Sequence, residues 1–286
     1  MVVKRILIEI KFIDTYQEVI SLLKRMNGTF DFDLWEMYIE GIYTGLLEKL
    51  KEDSICYDFV TDILPVMNLA VQNMDKVDIA HKSLVKAISR LSERFNSICD
   101  GDFQVVVIFY LGLCNGAGWA TEIGNKSVVL LGIEKIVELS WYEYESIAPL
   151  VYHELGHIWH NSVNDIYIKS KSPIVQLYRE GLAMYLEQLL MGDFEYYRQD
   201  RNGWLEWCKK NEPQINTELL RRFDADESVG EFFGDWNEYQ GYSDVGYFIG
   251  NQFIKYLLAR YSLDRVAKLD ITLVNKEFRD YVEQTQ

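Results

Sequence analysis

The chain has 286 residues, of which 49% are hydrophobic and 14% aromatic, so it can bury a sizeable core and does not have the composition of a disordered protein. Its formal net charge of −15 excludes nucleic acid as an expected partner, because an acidic surface repels phosphate backbones. No membrane span is expected, since no run of about 18 apolar residues occurs, and Glu9 and Lys11 interrupt the first apolar run too early for a signal peptide.

The four cysteines are spread along the chain and form no CxxC pair, which excludes a zinc ribbon or a dithiol redox motif of the usual spacing. Two disulfides remain open from the sequence, but free thiols in a reducing cytosol are favoured. We therefore expect a cytoplasmic protein that binds neither nucleic acid nor membrane.

The first hundred residues predict a helical region. From about residue 14 to residue 96 apolar side chains recur with helical spacing, as Leu34, Tyr38 and Ile42 do. Two stretches rich in β-branched and aromatic residues then predict strands, "DFQVVVIFYLGL" at 102–113 and "NKSVVLLGIEKI" at 125–136. The turn-like "CNGAGW" between them favours a hairpin or a small sheet.

The remainder predicts helices again. Ser146 is the expected N-cap of one helix, with Pro149 in its first turn. A second helix is expected to begin at Ser172-Pro173 and to end at Gly192, and residues 202–263 predict further helices and loops. The order helices, strands, helices indicates an α+β fold, with a helical region at 1–100 and a catalytic region at 101–286 packed as one compact unit.

Three of the four histidines of the chain fall within "VYHELGHIWH" at 151–160. His153 and His157 are four residues apart, so they share one helical face and can direct their imidazole nitrogens at one ion. Glu154, one step around the helix, is placed to contact a water held on that ion. This HExxH arrangement is typical of zinc peptidases and predicts one Zn²⁺ per chain.

Zinc in a catalytic site takes a third protein ligand and leaves a fourth position open. A third histidine six residues after the second is excluded, because that position is Val163. His160 lies on the same side of the helix, but as a ligand it would crowd the open position; a buried histidine beside Trp159 is favoured. Glu180, on the following helix, completes a His₂Glu set if a loop at 161–171 lets that helix fold back. Gly181 and Ala183 keep that helix narrow where it would approach the helix of the two histidines.

The motifs "HELGH" and "EGLAMYLE" together resemble the gluzincin peptidases, and the second is similar to the EGxAxYxE helix of aminopeptidase N-like enzymes. The resemblance implies a zincin-like fold, with a small antiparallel or mixed sheet packed against the zinc-site helices. It implies that His153, His157 and Glu180 are the ligands and that Glu154 is the general base. It extends over about residues 127–258, while the first hundred residues show only a general likeness to small predicted zinc proteases of unknown function.

The resemblance also implies a tyrosine that stabilises the oxyanion. "GYSDVGYFIG" matches the Y-x-x-G stretch of that family, which points to Tyr247, three residues before Gly250, with Tyr242 as the second candidate. The match departs from the family at Ile249, where a lysine is usual.

Two features of substrate binding follow from the same resemblance. "GIEK" is the nearest stretch to the G-x-M-E-N strand of aminopeptidases, which makes Glu134 the candidate for binding a substrate amine. "NKSVVLLGIE" would be the edge strand along which an extended substrate pairs backbone to backbone. Thermolysin-like enzymes carry an aspartate four residues after the third ligand; here that position is Met184.

These residues predict a zinc metallopeptidase, a hydrolase that takes a peptide or protein substrate and uses Glu154 to accept a proton from a metal-activated water. Two alternatives stay open. The chain could keep the zinc site as a non-catalytic binding module, which would not need Glu154, or it could hydrolyse a non-peptide amide or an epoxide.

Overall fold

A computed structural model describes residues 8–99, 101–165, 170, 172–234 and 238–285. It is 63% helical and 10% strand, with one small mixed sheet, which confirms the predicted α+β class. Contacts divide the chain into two compact units, the first ending at Ile158 and the second beginning at Trp159. The boundary predicted at residue 100 between a helical and a catalytic region stays a prediction. Within the described ranges, no helix combines the length and the apolar character needed to cross a membrane.

The first unit contains a four-stranded sheet with the strand order β1-β2-β4-β3. Strands β1 and β2 are parallel, with Glu9 opposite Gln104. Strands β2 and β4 are also parallel, with Val105 opposite Ser127, and β3 runs antiparallel to β4. The four strands have these bounds: β1 Glu9–Asp14, β2 Gln104–Tyr110, β3 Gly118–Ile123 and β4 Lys126–Gly132.

The two predicted strands are confirmed, because β2 lies within 102–113 and β4 within 125–136. Their nearly unbroken apolar runs suit the two central strands of the sheet. The hairpin alternative is wrong, since β2 and β4 run parallel. The chain reverses through β3, which begins at Gly118, inside the stretch predicted as a turn, and the strand β1 was not predicted.

Eight helices of the described chain begin in the first unit, and they have these bounds: α1 Tyr16–Met26, α2 Phe32–Glu40, α3 Leu46–Asp53, α4 Leu64–Gln72, α5 Met74–Ile88, α6 Leu91–Ile98, α7 Ile133–Glu138 and α8 Tyr144–Val163. The first six confirm the helical region predicted for the N-terminal hundred residues. A five-residue π-helix, Phe59–Ile63, precedes α4.

Helix α8 carries the HExxH motif and continues across the boundary between the two units. Its predicted start at Ser146 is wrong. The backbone N–H groups of Ser146 and Ile147 both donate to the carbonyl oxygen of Glu143 at 3.0 Å, so the first turn forms before Ser146. Pro149 consequently lies inside the helix rather than in its first turn.

The second unit contains five further helices in its described residues, with these bounds: α9 Pro173–Met191, α10 Trp204–Ala225, α11 Val245–Leu258, α12 Leu263–Ala267 and α13 Ile271–Thr285. Both predicted ends of α9 are confirmed. Ser172 occupies the N-cap before Pro173, and Gly192 ends the helix with a left-handed φ of 77° that glycine adopts without strain.

Helix α9 packs against α11 at a pair of glycines. A Cβ atom at Gly181 would overlap the backbone of Gly250, and a Cβ atom at Gly250 would lie 2.6 Å from the carbonyl oxygen of Leu177. The two backbones approach so closely that neither position has room for a side chain. Gly181 therefore serves the contact with α11, a role that the sequence did not indicate.

We expect Gly181→Ala to lower the free energy of unfolding by about 1–3 kcal/mol, because the added methyl group forces α9 and α11 apart. Denaturant unfolding of the purified variant measures the change. Gly41→Ala is the matched control: Gly41 has a φ of −80° and the nearest atom to an added Cβ is 3.5 Å away, so stability should change by less than about 0.5 kcal/mol. Equal effects of the two substitutions would contradict the close packing at Gly181.

Candidate metal centre

Two buried histidines project from consecutive turns of α8. His153 is 3% exposed and His157 is 8% exposed, and their ring centroids lie 4.8 Å apart with the ring planes nearly perpendicular. Residues four apart on a helix lie one above the other on the same face. The spacing that the sequence shows therefore places both imidazoles side by side.

Glu154 lies on the same helix and contacts strand β3. Its Oε2 accepts a hydrogen bond from the backbone N–H of Ala120 at 2.9 Å. An added Cβ atom at Gly118 would come within 2.6 Å of Leu150 Cδ1 and 3.0 Å of Glu154 Oε1, so only glycine lets this helix face lie so close to the strand. The strand thus fixes Oε2 of the carboxylate through a hydrogen bond, and Oε1 lies next to Gly118.

Glu180 joins the two histidines. The three residues form the group, among those described, that could hold a metal ion: each offers one ligand atom, and these atoms lie within 4.8 Å of one another. Glu180 is half-buried on α9, one residue before the glycine that contacts α11. These are the three residues of the predicted ligand set, and their binding of a metal stays a prediction.

The chemistry of this donor set suits zinc. Two imidazole nitrogens and one carboxylate oxygen are the ligands of many catalytic zinc sites, in which the fourth position is left for water or substrate. Hard ions such as Mg²⁺ and Ca²⁺ prefer oxygen ligands and are a poorer match to a set with two nitrogens.

The alternative third ligand, His160, is not a member of that group among the described residues. Its side chain is 1% exposed, and its ring meets the ring of Tyr178 edge to face at a centroid distance of 5.6 Å. This agrees with the favoured interpretation of a buried histidine.

Glu134, the candidate for binding a substrate amine, is completely buried at the start of α7. Its two carboxylate oxygens accept hydrogen bonds from the backbone N–H groups of Gly112 at 2.6 Å and Cys114 at 3.0 Å. Burial raises the pKa of Glu134 to about 7, although these donors lower it. The contacts account for the buried carboxylate without a substrate: it ties α7 to the loop between β2 and β3. Amine binding by Glu134 stays a prediction.

The two tyrosine candidates are both half-buried in the second unit. Tyr247 lies in the first turn of α11, and its ring meets that of Phe233 edge to face at 5.4 Å. Tyr242 stacks on Trp207 at 4.2 Å and pairs through its backbone with Tyr239. The oxyanion role of either tyrosine stays a prediction.

The edge strand predicted at "NKSVVLLGIE" is wrong. That stretch forms β4, which pairs with β2 on one side and with β3 on the other, so it has no edge to offer a substrate. Among the described strands, β3 and β1 are the two edges. The strand next to Glu154 is therefore β3, which the sequence did not predict.

Because the sequence did not predict β3, it also did not predict the contacts that Gly118 and Ala120 make with Glu154. The available signal was the pair of glycines in "GAGW", which suggested only a turn. A glycine inside a strand also marks a close approach of another element, and that interpretation finds the neighbour of Glu154.

No protein-family model matches the chain, and comparisons with curated proteins and with solved structures found no match. The gluzincin resemblance therefore rests on the sequence motifs alone. The proposed ligand set rests on the spacing of His153, His157 and Glu180.

We expect the purified protein to bind about one Zn²⁺ per chain, and we expect His153→Ala or Glu180→Ala to abolish tight binding, because each removes one of three protein ligands. Metal content after dialysis, measured by mass spectrometry, checks this. His81→Ala is the matched control, since that histidine stacks on Tyr16 and contacts Asp14. Full zinc content in the Glu180 variant together with loss of zinc in His160→Ala would show that His160 is the third ligand.

Glu134 should make the stability of the metal-free protein depend on pH. Its folded-state pKa of about 7 lies above the unfolded value of about 4.3, so the folded chain holds the proton more tightly. The stability that Glu134 contributes is thus fully present below the unfolded pKa and is lost as pH rises towards 7. We expect the stability of wild type relative to Glu134→Gln to fall between about pH 4 and about pH 7 and to level off above that. Chelator-treated samples, unfolded in urea at each pH, give this difference; a constant difference would contradict the raised pKa.

Proposed function

We propose that the chain is a zinc-dependent peptidase in which Glu154 is the general base. The observation that carries the proposal is that the ligand atoms of His153, His157 and Glu180 lie within 4.8 Å of one another. The motif that contains the two histidines also has a glutamate between them in sequence, Glu154. A site with only a structural task would need no such carboxylate, and it would fill all four metal positions with protein.

Zinc held by His153, His157 and Glu180 would supply Lewis-acid chemistry for a carbonyl group and would lower the pKa of water towards neutrality. Glu154 takes the proton from the attacking water and delivers it to the leaving amine. The N–H of Ala120 supports this role because it holds Oε2 at 2.9 Å and so fixes the orientation of the carboxylate.

The outer edge of β3 is the surface on which we propose that an extended peptide binds. The carbonyl oxygen of Ala117 accepts from the N–H of Gly132, so it points towards β4. Backbone groups alternate in direction along a strand, and those of Gly118, Ala120 and Glu122 therefore point away from β4. The N–H of Ala120 already donates to Glu154, so a peptide would pair with the remaining groups of this edge. A peptide pairing there would lie beside Glu154, and this mode of recognition favours peptides over other amides.

The remaining assignments rest on the family resemblance. Tyr247 is the proposed hydrogen-bond donor to the oxyanion, with Tyr242 as the second candidate. The compartment that we propose is the cytoplasm, where peptides or proteins would be the substrates. The four cysteines, all in the described part of the chain, are free thiols, which suits a reducing compartment.

Glu154→Gln tests the mechanism. The amide keeps the size of the side chain but cannot accept the proton, so we expect normal folding and full zinc content with a loss of peptidase activity of at least about 10²-fold. Cleavage of a quenched-fluorescence peptide library, measured beside metal content and thermal unfolding, checks this. Glu48→Gln, a change to an exposed side chain on α3 rather than on the proposed peptide edge, is the matched control and should retain activity.

Unchanged turnover in Glu154→Gln would contradict the general-base role. A wild-type protein that binds zinc but cleaves no member of the library would instead favour the non-catalytic binding module.

A further inference from the structure

A cavity of about 530 Å³ lies in the second unit beside the N-terminal half of α9. Arg179 and Glu180 both line it, together with Ser170, Ser172 and Ser228. We propose that this cavity binds a carboxylate group of the substrate and that Arg179 is the residue that recognises it. The inference rests on the proposed function, since it assigns the substrate preference of the same site.

Arg179 has no carboxylate partner in the part of the chain that the structure describes. Its Nε atom is buried and makes no hydrogen bond there. A buried guanidinium donor without an acceptor costs free energy, which an incoming anion would recover. The other arginines of this unit show what is usual, and five of them pair with acids: Arg198, Arg221, Arg222, Arg260 and Arg279.

The acidic composition makes this arginine more unusual. The chain has 44 acidic and 29 basic residues, so carboxylates that could pair with an arginine are in excess. Besides Glu180, one acidic residue lines the cavity. This residue, Asp226, is exposed at the C-cap of α10 and forms no ion pair with Arg179. The guanidinium group of Arg179 thus lines the cavity beside Glu180, and it forms no ion pair with a described carboxylate.

The position of Arg179 indicates which carboxylate it would bind. It precedes the proposed metal ligand Glu180 by one residue, and both side chains line one cavity, so the bound anion would lie near the scissile bond. A guanidinium group binds a carboxylate through two parallel hydrogen bonds, which gives both affinity and orientation. The carboxylate could be the C-terminus of the peptide or the side chain of an aspartate or glutamate flanking the bond.

Two pairs of peptides distinguish these sources. One pair differs in a free or an amidated C-terminus, and the other has glutamate or glutamine beside the cleaved bond. For the recognised pair, we expect wild type to prefer the acid, and Arg179→Gln to lower kcat/KM for the acid about 10- to 100-fold while changing that for its neutral counterpart less than about twofold. Zinc content should not change. Arg90→Gln, at an exposed arginine of the first unit, is the matched control and should alter neither member.

Several outcomes would overturn the inference without touching the proposed function. One is a wild-type enzyme that cleaves both members of both pairs equally well. Another is an Arg179→Gln variant that loses activity equally on acidic and neutral peptides, which would assign Arg179 to the support of Glu180.

Binding without turnover separates the inference from the proposed function. Calorimetric titration of zinc-loaded Glu154→Gln with the acidic peptides should show binding that the added Arg179→Gln change weakens at least about tenfold. If no peptide is cleaved by wild type but this binding is found, the peptidase proposal fails and the carboxylate site stands. If neither acidic peptide binds, the inference is overturned.

Discussion

The close approach of α8 to strand β3 at Gly118 is the constraint on which the site depends. Because position 118 has no side chain, Leu150 and Glu154 can lie directly against the strand. The N–H of Ala120 then holds one oxygen of Glu154. The same contact also orients His153 and His157, because residues of one helix keep a fixed rotation relative to each other. A short edge strand thus sets the orientation of the proposed base and of two proposed ligands.

Three successive positions of α9 serve the cavity, the histidine pair and the contact with α11. Arg179 and Glu180 line the cavity, Glu180 also joins the histidine pair, and Gly181 meets the backbone of α11. Each residue of an α-helix is rotated by about 100° from the one before, so neighbours in sequence can serve separate surfaces. The rigid packing at Gly181 fixes the rotation of α9 about its axis within the second unit, and that rotation determines where Glu180 points.

Features of the structure that depend on local signals could be predicted from the sequence. The spacing of His153 and His157 gives their common face, Ser172-Pro173 and Gly192 mark the ends of α9, and the long apolar runs give β2 and β4. The strands β1 and β3 are six residues each and carry weaker patterns. Their identity depends on pairing with distant partners, which no local window shows.

The environment of single side chains was equally hard to predict. "GIEK" resembles a substrate-binding stretch, yet Glu134 is fully buried, because the loop between β2 and β3 folds over it and donates two backbone N–H groups. The apolar residues around Glu134 in the sequence indicate a buried segment, but they do not show that the carboxylate itself is enclosed by this loop. Pro149 misled in the same way: proline is frequent in first helical turns, but here α8 begins earlier and contains it.

The parallel pairing of β1 with β2 has a consequence for how the protein folds. Glu9 and Gln104 lie opposite each other although 95 residues separate them in the chain. During synthesis, β1 leaves the ribosome long before any of the three strands that complete the sheet, and six helices lie in the sequence between β1 and β2. Closing so long a loop costs entropy before the pairing can compensate for it, which makes assembly of the sheet a slow step. Until then β1 is an unpaired strand, the kind of segment that chaperones protect from aggregation.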